Sequence, residues 1–319
     1  MSDPPKVAAV LIGRNEGARL LAALASIPGE VSPVVYVDSG STDGSVAAAE
    51  AAGARVVRLD LSRPFTAARA RNEGFAALGA EVPEYVQFMD GDCTLDPGWI
   101  GVARRFLDDH PQVAVACGRR RERFPEASVY NRLCDAEWNT PPGRALACGG
   151  DALMRGAAFA AAGGYDPGLI AGEEPELCLR LRAAGWEIWR LDAEMTLHDA
   201  AMTRFSQWWR RTRRAGHAFA EGAALHGAPP ERHFRRETRS ALAWGLGLPA
   251  AILLGAALAG PWALVLLLAW PAQFLRLAPR LGPTRAAFLI LGKLPEALGA
   301  MEYWWGRLTR TRRGLIEYK

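Results

Sequence analysis

The sequence predicts an α/β fold, with a mostly parallel sheet and flanking helices, followed by an apolar helical region that associates with a membrane. In the first half, short apolar runs alternate with helical patterns, which is typical of parallel sheets with helices on both faces. Residues 240–275 contain no charged residue, a stretch of 36 positions, whereas one membrane helix needs about 20. Residues 1–228 carry 25 Lys/Arg and 29 Asp/Glu, but residues 229–319 carry 13 and 5.

The apolar runs of the first half define the predicted elements. We predict strands at 7–12, 34–37, 54–59 and 85–89, and helices at 18–26 and 45–52. Ligands of such sheets bind beyond the carboxyl ends of the strands, so functional residues should directly follow the apolar runs. The first run is too short for a signal peptide and lacks a basic leader.

Length and charge predict two regions. The 319 residues suffice for one large domain and an appendage, and we place the boundary between residues 228 and 229. The basic tail is also the most apolar part, so anionic lipid fits it better than nucleic acid. The cysteines lack CxxC spacing, which favours a reduced, cytosolic environment. They are Cys93, Cys117, Cys134, Cys148 and Cys178.

The uncharged stretch predicts a membrane hairpin at about 240–275, broken near Gly260-Pro261. Arginines flank both ends, which places both ends on the cytoplasmic side of the inner membrane. They are Arg232, Arg235, Arg236 and Arg239 before the stretch, and Arg276, Arg280 and Arg285 after it. A pair of buried soluble helices is the alternative. Residues 284–306 include charges, which predicts an amphipathic helix in the membrane interface.

The first group of candidate residues surrounds Asp38, in the segment VDSGSTDGS at the end of the second strand. Glycines and serines allow a tight turn, and Ser45 can cap the next helix. A carboxylate at this position can accept a hydrogen bond from a nucleobase or a ribose hydroxyl. An ordinary strand-to-helix turn is the alternative.

A second group, Asp90-Gly91-Asp92, follows the strand at 85–89. Mg²⁺ and Mn²⁺ prefer oxygen ligands, and a diphosphate can complete their coordination. Two carboxylates separated by one residue at a strand end therefore predict a divalent metal site, although short acidic pairs are also common in loops.

The third group is Gly172-Glu173-Glu174-Pro175. Proline suits the first helical position, which would make Glu174 the cap of a helix. The helix dipole favours an ionised carboxylate there, and such a group can deprotonate an acceptor hydroxyl. Plain helix capping is the alternative.

In this order, the segments resemble glycosyltransferase family 2, the large GT-A-fold family. The resemblance covers about residues 6–220 and rests on the segments 11–17, VDSGSTDGS, ARNEG, MDGD, GGD, GEEPELCLRLRAAGW and His198. It implies an inverting transferase that uses a nucleotide-diphosphate sugar and Mg²⁺ or Mn²⁺.

The resemblance also implies roles for single residues. Glu16 and Asp38 match positions that hold the nucleoside, and Arg71 matches a position near the diphosphate. Asp90 matches the first aspartate of the metal motif, near ribose or metal, and Asp92 matches the metal-binding aspartate.

The resemblance also implies which residues are catalytic and which lie on the acceptor side. Glu174 stands where the family has the aspartate of a Glu-Asp pair, its catalytic base, and Glu173 is the alternative base. Gly150 and Asp151 match an acceptor-side loop, and His198 is a candidate for metal or phosphate.

The segment Gln207-Trp-Trp-Arg-Arg211 departs from the Gln-x-x-Arg-Trp motif of processive members. We therefore expect addition of single sugars, with Trp208 and Arg211 on the acceptor side. The basic, apolar tail favours a lipid-linked or glycan acceptor in surface polysaccharide or glycolipid assembly, and no nucleic acid. The alternatives are a non-catalytic scaffold and a processive synthase. A sugar nucleotidyltransferase is disfavoured because residues 13–17 lack a lysine.

Overall fold

The computed structural model describes residues 6–79 and 82–311. Over these residues the chain forms two compact units, one ending at Thr203 and the other beginning at Arg204. The strands of the first unit are β1 (Val7–Gly13), β2 (Val34–Asp38), β3 (Arg55–Arg58), β4 (Tyr85–Asp90), β5 (Cys93–Leu95), β6 (Val113–Glu122), β7 (Gly143–Ala145), β8 (Ala152–Arg155) and β9 (Glu187–His198). Its helices are α1 (Ala18–Ala25), α2 (Ser45–Ala51), α3 (Ala67–Ala76), α4 (Trp99–Asp109), α5 (Val129–Trp138), α6 (Gly156–Ala161) and α7 (Glu173–Ala183).

The described strands form one sheet in the order β3-β2-β1-β4-β8-β6-β9-β5, with β7 paired to β9. The strands β3, β2, β1 and β4 are parallel neighbours. Their register sets Gly13 beside Asp38 and Ile12 beside Asp90. Parallel strands point their carboxyl ends the same way, so Asp38 and Asp90 lie at one edge of the sheet. The predicted α/β class is confirmed.

The second half of the sheet is mixed. β8 lies antiparallel between β4 and β6, and β6 runs parallel to β9. The short strand β5 pairs antiparallel with β9, with Cys93 opposite His198. This pairing joins the segment after the metal motif to a residue about a hundred positions later in the chain.

Helix α3 packs directly on the parallel strands. A Cβ at Gly74 would lie 2.4 Å from Val10 Cγ1 and 2.8 Å from Val37 Cγ2, so only glycine fits between helix and sheet at this point. Arg71 precedes Gly74 by about one helical turn. The close packing of Gly74 on the sheet therefore fixes the position of Arg71 relative to the strands.

Two helix starts differ from the sequence prediction. Helix α2 has Gly44 rather than Ser45 as its N-cap, and α7 begins at Glu173 after the N-cap Gly172. Both glycines have φ of +82°, a left-handed conformation that a side chain disfavours. Glu174 is therefore the second residue of α7 and not its cap. Pro175 is the third residue, where its missing N–H costs no intrahelical hydrogen bond.

The second unit is helical, and two of its segments are long and apolar enough to cross a membrane by length and composition. They span Arg235–Ala259 and Pro261–Leu281, and 17% and 0% of their most apolar windows are buried. These values disagree with the alternative of buried soluble helices. The helices are α8 (Phe205–His226), α9 (Arg235–Leu242), α10 (Leu248–Ala259), α11 (Ala269–Leu281), α12 (Pro283–Leu291) and α13 (Lys293–Thr309). A π-helical turn, Ala243–Gly247, joins α9 to α10, and a 3₁₀ segment, Pro261–Leu268, precedes α11.

Helix α13 packs along α8 and α9 within the second unit. The predicted amphipathic segment at 284–306 therefore forms two helices, α12 and α13, separated at Gly292. The predicted domain boundary between residues 228 and 229 lies just after α8, which ends at His226, and it stays a prediction.

Candidate active site

Arg71 is the centre of a cluster of carboxylates at the carboxyl edge of the parallel strands. Its Nη2 donates to Asp90 Oδ1 at 2.9 Å, and its Nη1 lies 2.9 Å from Glu173 Oε1 and 3.3 Å from Glu174 Oε1. Burial by itself lowers the pKa of Arg71, but the charges of Asp90, Glu174 and Glu173 outweigh it and raise the pKa well above its usual value. Arg71 is therefore a fixed cation that joins the metal motif to the start of α7.

Glu174 is more exposed than its neighbour Glu173. The side chain of Glu174 is 17% exposed, whereas that of Glu173 is 4% exposed. Burial and then the charge of Glu173 raise the pKa of Glu174 to about 7, against the opposing effect of Arg71. A carboxylate with this pKa is a stronger base at neutral pH than an ordinary glutamate.

Arg120 is a second cation in the cluster, and sequence reasoning missed it. Its Nη2 lies 3.3 Å from Asp90 Oδ2, and its Nη1 lies 3.4 Å from Asp151 Oδ2. The guanidinium carbon is 4.9 Å from the ring centroid of Trp138, a cation–π distance. The sequence offers only the run Arg119-Arg120-Arg121 on β6, and such a run usually indicates an exposed strand.

The loop before β8 brings the backbone of Gly150 close to Arg71, Glu174 and Asp90. A Cβ at Gly150 would lie 2.4 Å from Arg71 Nη2, 3.2 Å from Glu174 Oε1 and 3.3 Å from Asp90 Oδ2, so a side chain would displace these groups. Asp151 is buried beneath the loop. Its Oδ1 accepts from the backbone N–H of Asp90 at 3.1 Å, and its Oδ2 accepts from the Thr196 hydroxyl at 2.8 Å.

Asp92, Cys93 and His198 form a candidate metal group. One ligand atom from each lies within 4.8 Å of the others, and all three residues are buried. His198 Nε2 is 3.4 Å from Asp92 Oδ2. Burial, and then the charge of Arg120, lowers the pKa of His198, which favours the neutral imidazole that binds metals. Asp90, Cys93 and Asp151 form an adjoining group with the same spacing.

Glu122 lies next to the imidazole ring of His198, and sequence reasoning also missed it. Its Oε2 lies 3.5 Å from His198 Nδ1 and accepts from the backbone N–H of Ala200 at 3.0 Å. Its Oε1 accepts from the Asn131 side chain at 3.1 Å. A carboxylate behind an imidazole orients the ring toward a ligand on its other nitrogen.

Asp38 and Glu16 both lie next to Gly13. Asp38 Oδ2 accepts from the backbone N–H groups of Gly40 and Ser41 at 2.9 and 3.0 Å, so this carboxylate organises its own turn. Glu16 Oε2 pairs with Arg19 at 2.7 Å. A Cβ at Gly13 would lie 3.0 Å from Glu16 Cγ, and a Cβ at Gly91 would lie 3.4 Å from the same atom. Glu16 therefore adjoins the metal motif.

Trp208 and Arg211 belong to the second unit, on α8. Trp208 is 6% exposed and packs edge-on against Phe288 with ring centroids 5.0 Å apart. Arg211 is half-buried. Their acceptor-side assignment stays a prediction, and the other predicted residues lie within the first unit.

Comparison with known proteins indicates a glycosyltransferase family. Residues 10–159 match glycosyl transferase family 2. These residues, a little under half of the chain, are therefore similar to a family 2 glycosyltransferase domain. A protein of Rickettsia felis described as an uncharacterized glycosyltransferase is 46% identical over 52 residues, which are 16% of this chain and 18% of that relative. The chain thus matches about a fifth of that curated relative's length.

Solved structures support the GT-A fold of this domain. The mannosyltransferase PcManGT from Pyrobaculum calidifontis, in complex with GDP-Man and Mn²⁺, has a TM-score of 0.67 at 20% identity, with 96% of this chain and 89% of that chain covered. Residues 1–349 of S. aureus TarS, in complex with UDP-GlcNAc, have a TM-score of 0.53 at 15% identity, with 94% and 92% covered.

Proposed function

We propose that this protein transfers a sugar from a nucleotide-diphosphate donor to an acceptor hydroxyl, with inversion at the sugar carbon. The observation that carries the proposal is the cluster around Arg71, which joins Asp90 of the metal motif to Glu174. It brings a group suited to deprotonation next to groups suited to holding a diphosphate and its metal ion.

Glu174 would act as the base. Direct displacement by an acceptor hydroxyl needs a single group to take the hydroxyl proton. Of the two glutamates that contact Arg71, Glu174 is more accessible than Glu173. Arg71 and Arg120 would face the negative charge of the donor diphosphate, since guanidinium groups match phosphate oxygens in geometry and charge. Glu16 and Asp38 would contact the nucleoside at the ends of β1 and β2.

The residues at the end of β4 fit a divalent metal ion. Asp92 and His198 offer oxygen and nitrogen atoms within 4.8 Å of each other, a mixed donor set that suits Mn²⁺ better than Mg²⁺, which prefers oxygen alone. Asp90 offers a further carboxylate, and Glu122 would orient the imidazole. A bound ion would neutralise charge on the departing nucleoside diphosphate.

The acceptor and the location complete the proposal. The two apolar segments and their flanking arginines favour a place at the cytoplasmic face of the inner membrane. A membrane-held enzyme gains most from an acceptor that is itself held in the membrane, so we propose a lipid-linked glycan as acceptor, in the assembly of a surface polysaccharide or glycolipid.

Calorimetric titration of the full chain with GDP and with UDP, each with and without Mn²⁺, tests the donor site. We expect Mn²⁺-dependent binding of at least one nucleotide, and Asp92→Ala should weaken it at least tenfold because a metal ligand is lost. The exposed Asp109 provides the control, since Asp109→Ala should bind as the wild type does. Equal binding with and without Mn²⁺ would refute the metal site and favour a non-catalytic scaffold.

Radiolabelled donors test the acceptor. Membranes containing the chain are incubated with labelled nucleotide sugars and extracted with organic solvent. Label should enter the organic phase with the wild type and be absent with Asp92→Ala. Label that stays in soluble products would rule out the lipid-linked acceptor.

A further inference from the structure

Both carboxylate oxygens of Asp90, the first aspartate of the metal motif, contact arginines. Arg71 Nη2 lies 2.9 Å from Asp90 Oδ1, and Arg120 Nη2 lies 3.3 Å from Asp90 Oδ2. A divalent metal ion would bind Asp90 through these same oxygen atoms. Each guanidinium group therefore competes with the metal ion for Asp90, and its positive charge also repels the ion.

The two arginines differ in how firmly they are held. The Arg71 side chain is 3% exposed, and its Nη1 also lies 2.9 Å from Glu173 Oε1. The Arg120 side chain is 15% exposed, and its contacts with carboxylate oxygens are 3.3 and 3.4 Å long, whereas hydrogen bonds between guanidinium and carboxylate groups are usually about 2.7–2.9 Å long. Arg120 is therefore the arginine that can leave Asp90 at the smaller cost.

Arg120 has two further contacts that do not involve Asp90. Its guanidinium carbon is 4.9 Å from the centroid of the Trp138 ring, and a cation–π contact does not neutralise the positive charge. Its Nη1 lies 3.4 Å from Asp151 Oδ2, and the Asp151 side chain is fully buried, whereas that of Asp90 is 27% exposed. A ligand that enters from solvent therefore meets Asp90 and not Asp151, while Trp138 and Asp151 still hold Arg120 in the site.

We propose that Arg120 exchanges Asp90 for the donor diphosphate when the nucleotide sugar binds, and that this exchange makes Asp90 available to the metal ion. Guanidinium groups pair with phosphate oxygens as well as with carboxylates, so Arg120 keeps a partner in both arrangements. The exchange rests on the proposed function, because it needs a donor with a diphosphate. It couples the two ligands, since each of them favours the arrangement that the other needs.

The test measures the affinity of Arg120→Gln for each ligand. Mn²⁺ is titrated into the full chain without nucleotide, and the free ion is followed by electron paramagnetic resonance. GDP and UDP are titrated by calorimetry in saturating Mn²⁺. Loss of a competing cation should strengthen Mn²⁺ binding by about threefold or more, whereas loss of a phosphate partner should weaken nucleotide binding by about fivefold or more. A merely structural role for Arg120 would weaken the binding of both.

Two comparisons isolate the contact with Asp90. Arg119→Gln removes a charge from the same strand, but its partners Asp192 and Glu194 lie at the surface, so both affinities should stay within about twofold because exposed pairs contribute little. In the background of Asp90→Asn, Arg120→Gln should strengthen Mn²⁺ binding less than it does in the wild type. An equal gain in both backgrounds would mean that Arg120 acts only as a distant charge, and it would overturn the exchange.

Failure of the exchange can be told apart from failure of the proposed function. Arg120→Met is a second uncharged variant, to be used if the melting temperature shows that Arg120→Gln does not fold. If wild-type nucleotide binding depends on Mn²⁺ but the uncharged variant binds Mn²⁺ alone no more tightly than the wild type, the exchange alone is contradicted. A wild-type chain that binds neither GDP nor UDP in saturating Mn²⁺ would contradict the proposed function itself.

Discussion

At the scale of single residues, the charge state of Glu174 should govern how the rate depends on pH. A base must be deprotonated to act, so the raised pKa of about 7 predicts that kcat/KM for the acceptor rises with pH up to about 7 and then levels off. Below that pH it should fall about tenfold per unit. Steady-state assays between pH 5 and 9 measure the profile.

Glu174→Gln tests the same group without changing pH. The amide cannot take a proton, so turnover should fall by about 10²–10⁴-fold, the usual contribution of a general base. Nucleotide affinity should stay within about threefold, because the base contributes mainly in the transition state. Near-normal turnover, or an unchanged pH profile at reduced rate, would assign the base to another residue.

Arg120 is expected to matter for stability as well as for the site. Arg120→Gln removes one of the cations facing Asp90 and Asp151, so both carboxylates lose a buried partner. The free energy of unfolding should fall by about 1–3 kcal/mol, as expected when a buried charge loses its hydrogen-bonded partner, and chemical denaturation measures the fall.

Arg119 supplies the matched control for this prediction. It neighbours Arg120 on β6, but its side chain is 37% exposed and pairs with Asp192 and Glu194 at the surface. Exposed ion pairs contribute about 0–1 kcal/mol, so Arg119→Gln should cost less than Arg120→Gln. Equal losses would mean that the Arg120 contacts contribute no more than a surface pair.

At the scale of elements, the start of α7 positions both glutamates. Gly172 has φ of +82°, and alanine there costs about 1–2 kcal/mol. The helix can relieve this strain by shifting its first turn, so Gly172→Ala should lower turnover at least tenfold as Glu173 and Glu174 move away from Arg71. Turnover and the midpoint of thermal unfolding are measured on the same sample.

Gly185 lies just beyond the other end of α7 and isolates the effect of position. Its φ is +91°, and a Cβ there would meet nothing within 4 Å. Gly185→Ala therefore carries a similar backbone cost without disturbing the glutamates, and turnover should stay within about twofold. If both variants lose the same turnover, general destabilisation rather than glutamate position would account for the loss.

The parallel strands could be predicted because each is a short, continuous apolar run between turns. β1 and β4 are buried along nearly their whole length, and the residues after them carry the motifs. The charged strands could not be predicted in this way. β6 ends in Arg-Arg-Arg-Glu, a pattern typical of an exposed segment, and only its pairing with β9 explains why Glu122 is buried.

Some residues of the candidate site could likewise be predicted from the sequence, and others could not. Asp90, Asp92 and Glu174 stand in local motifs whose chemistry can be inferred from neighbouring residues. Arg120 and Glu122 have no local motif. Arg120 reaches Asp90 across 30 positions of the chain, a contact that depends on the order of the strands and not on the residues around either partner.

At the scale of the whole molecule, charge and apolar surface separate along the chain. The excess of basic over acidic residues falls in residues 229–319, which also contain both apolar segments. Anionic lipid attracts basic groups beside a membrane segment by about 1 kcal/mol for each. If the hairpin enters a membrane, as proposed, arginines before and after it would hold both of its ends on the same side of that membrane.

Cysteine labelling tests whether this hairpin crosses the membrane. All five native cysteines are buried, so a membrane-impermeant maleimide should react mainly with an introduced thiol. Trp262 follows the break at Gly260 and is 85% exposed. If the hairpin crosses, Trp262→Cys should react from outside intact spheroplasts.

Leu308, on α13 and 78% exposed, is the control, since Leu308→Cys should react only in inverted vesicles. Reaction of both thiols only in inverted vesicles would mean that the hairpin lies on the cytoplasmic face, and reaction of Leu308→Cys from outside would reverse the orientation.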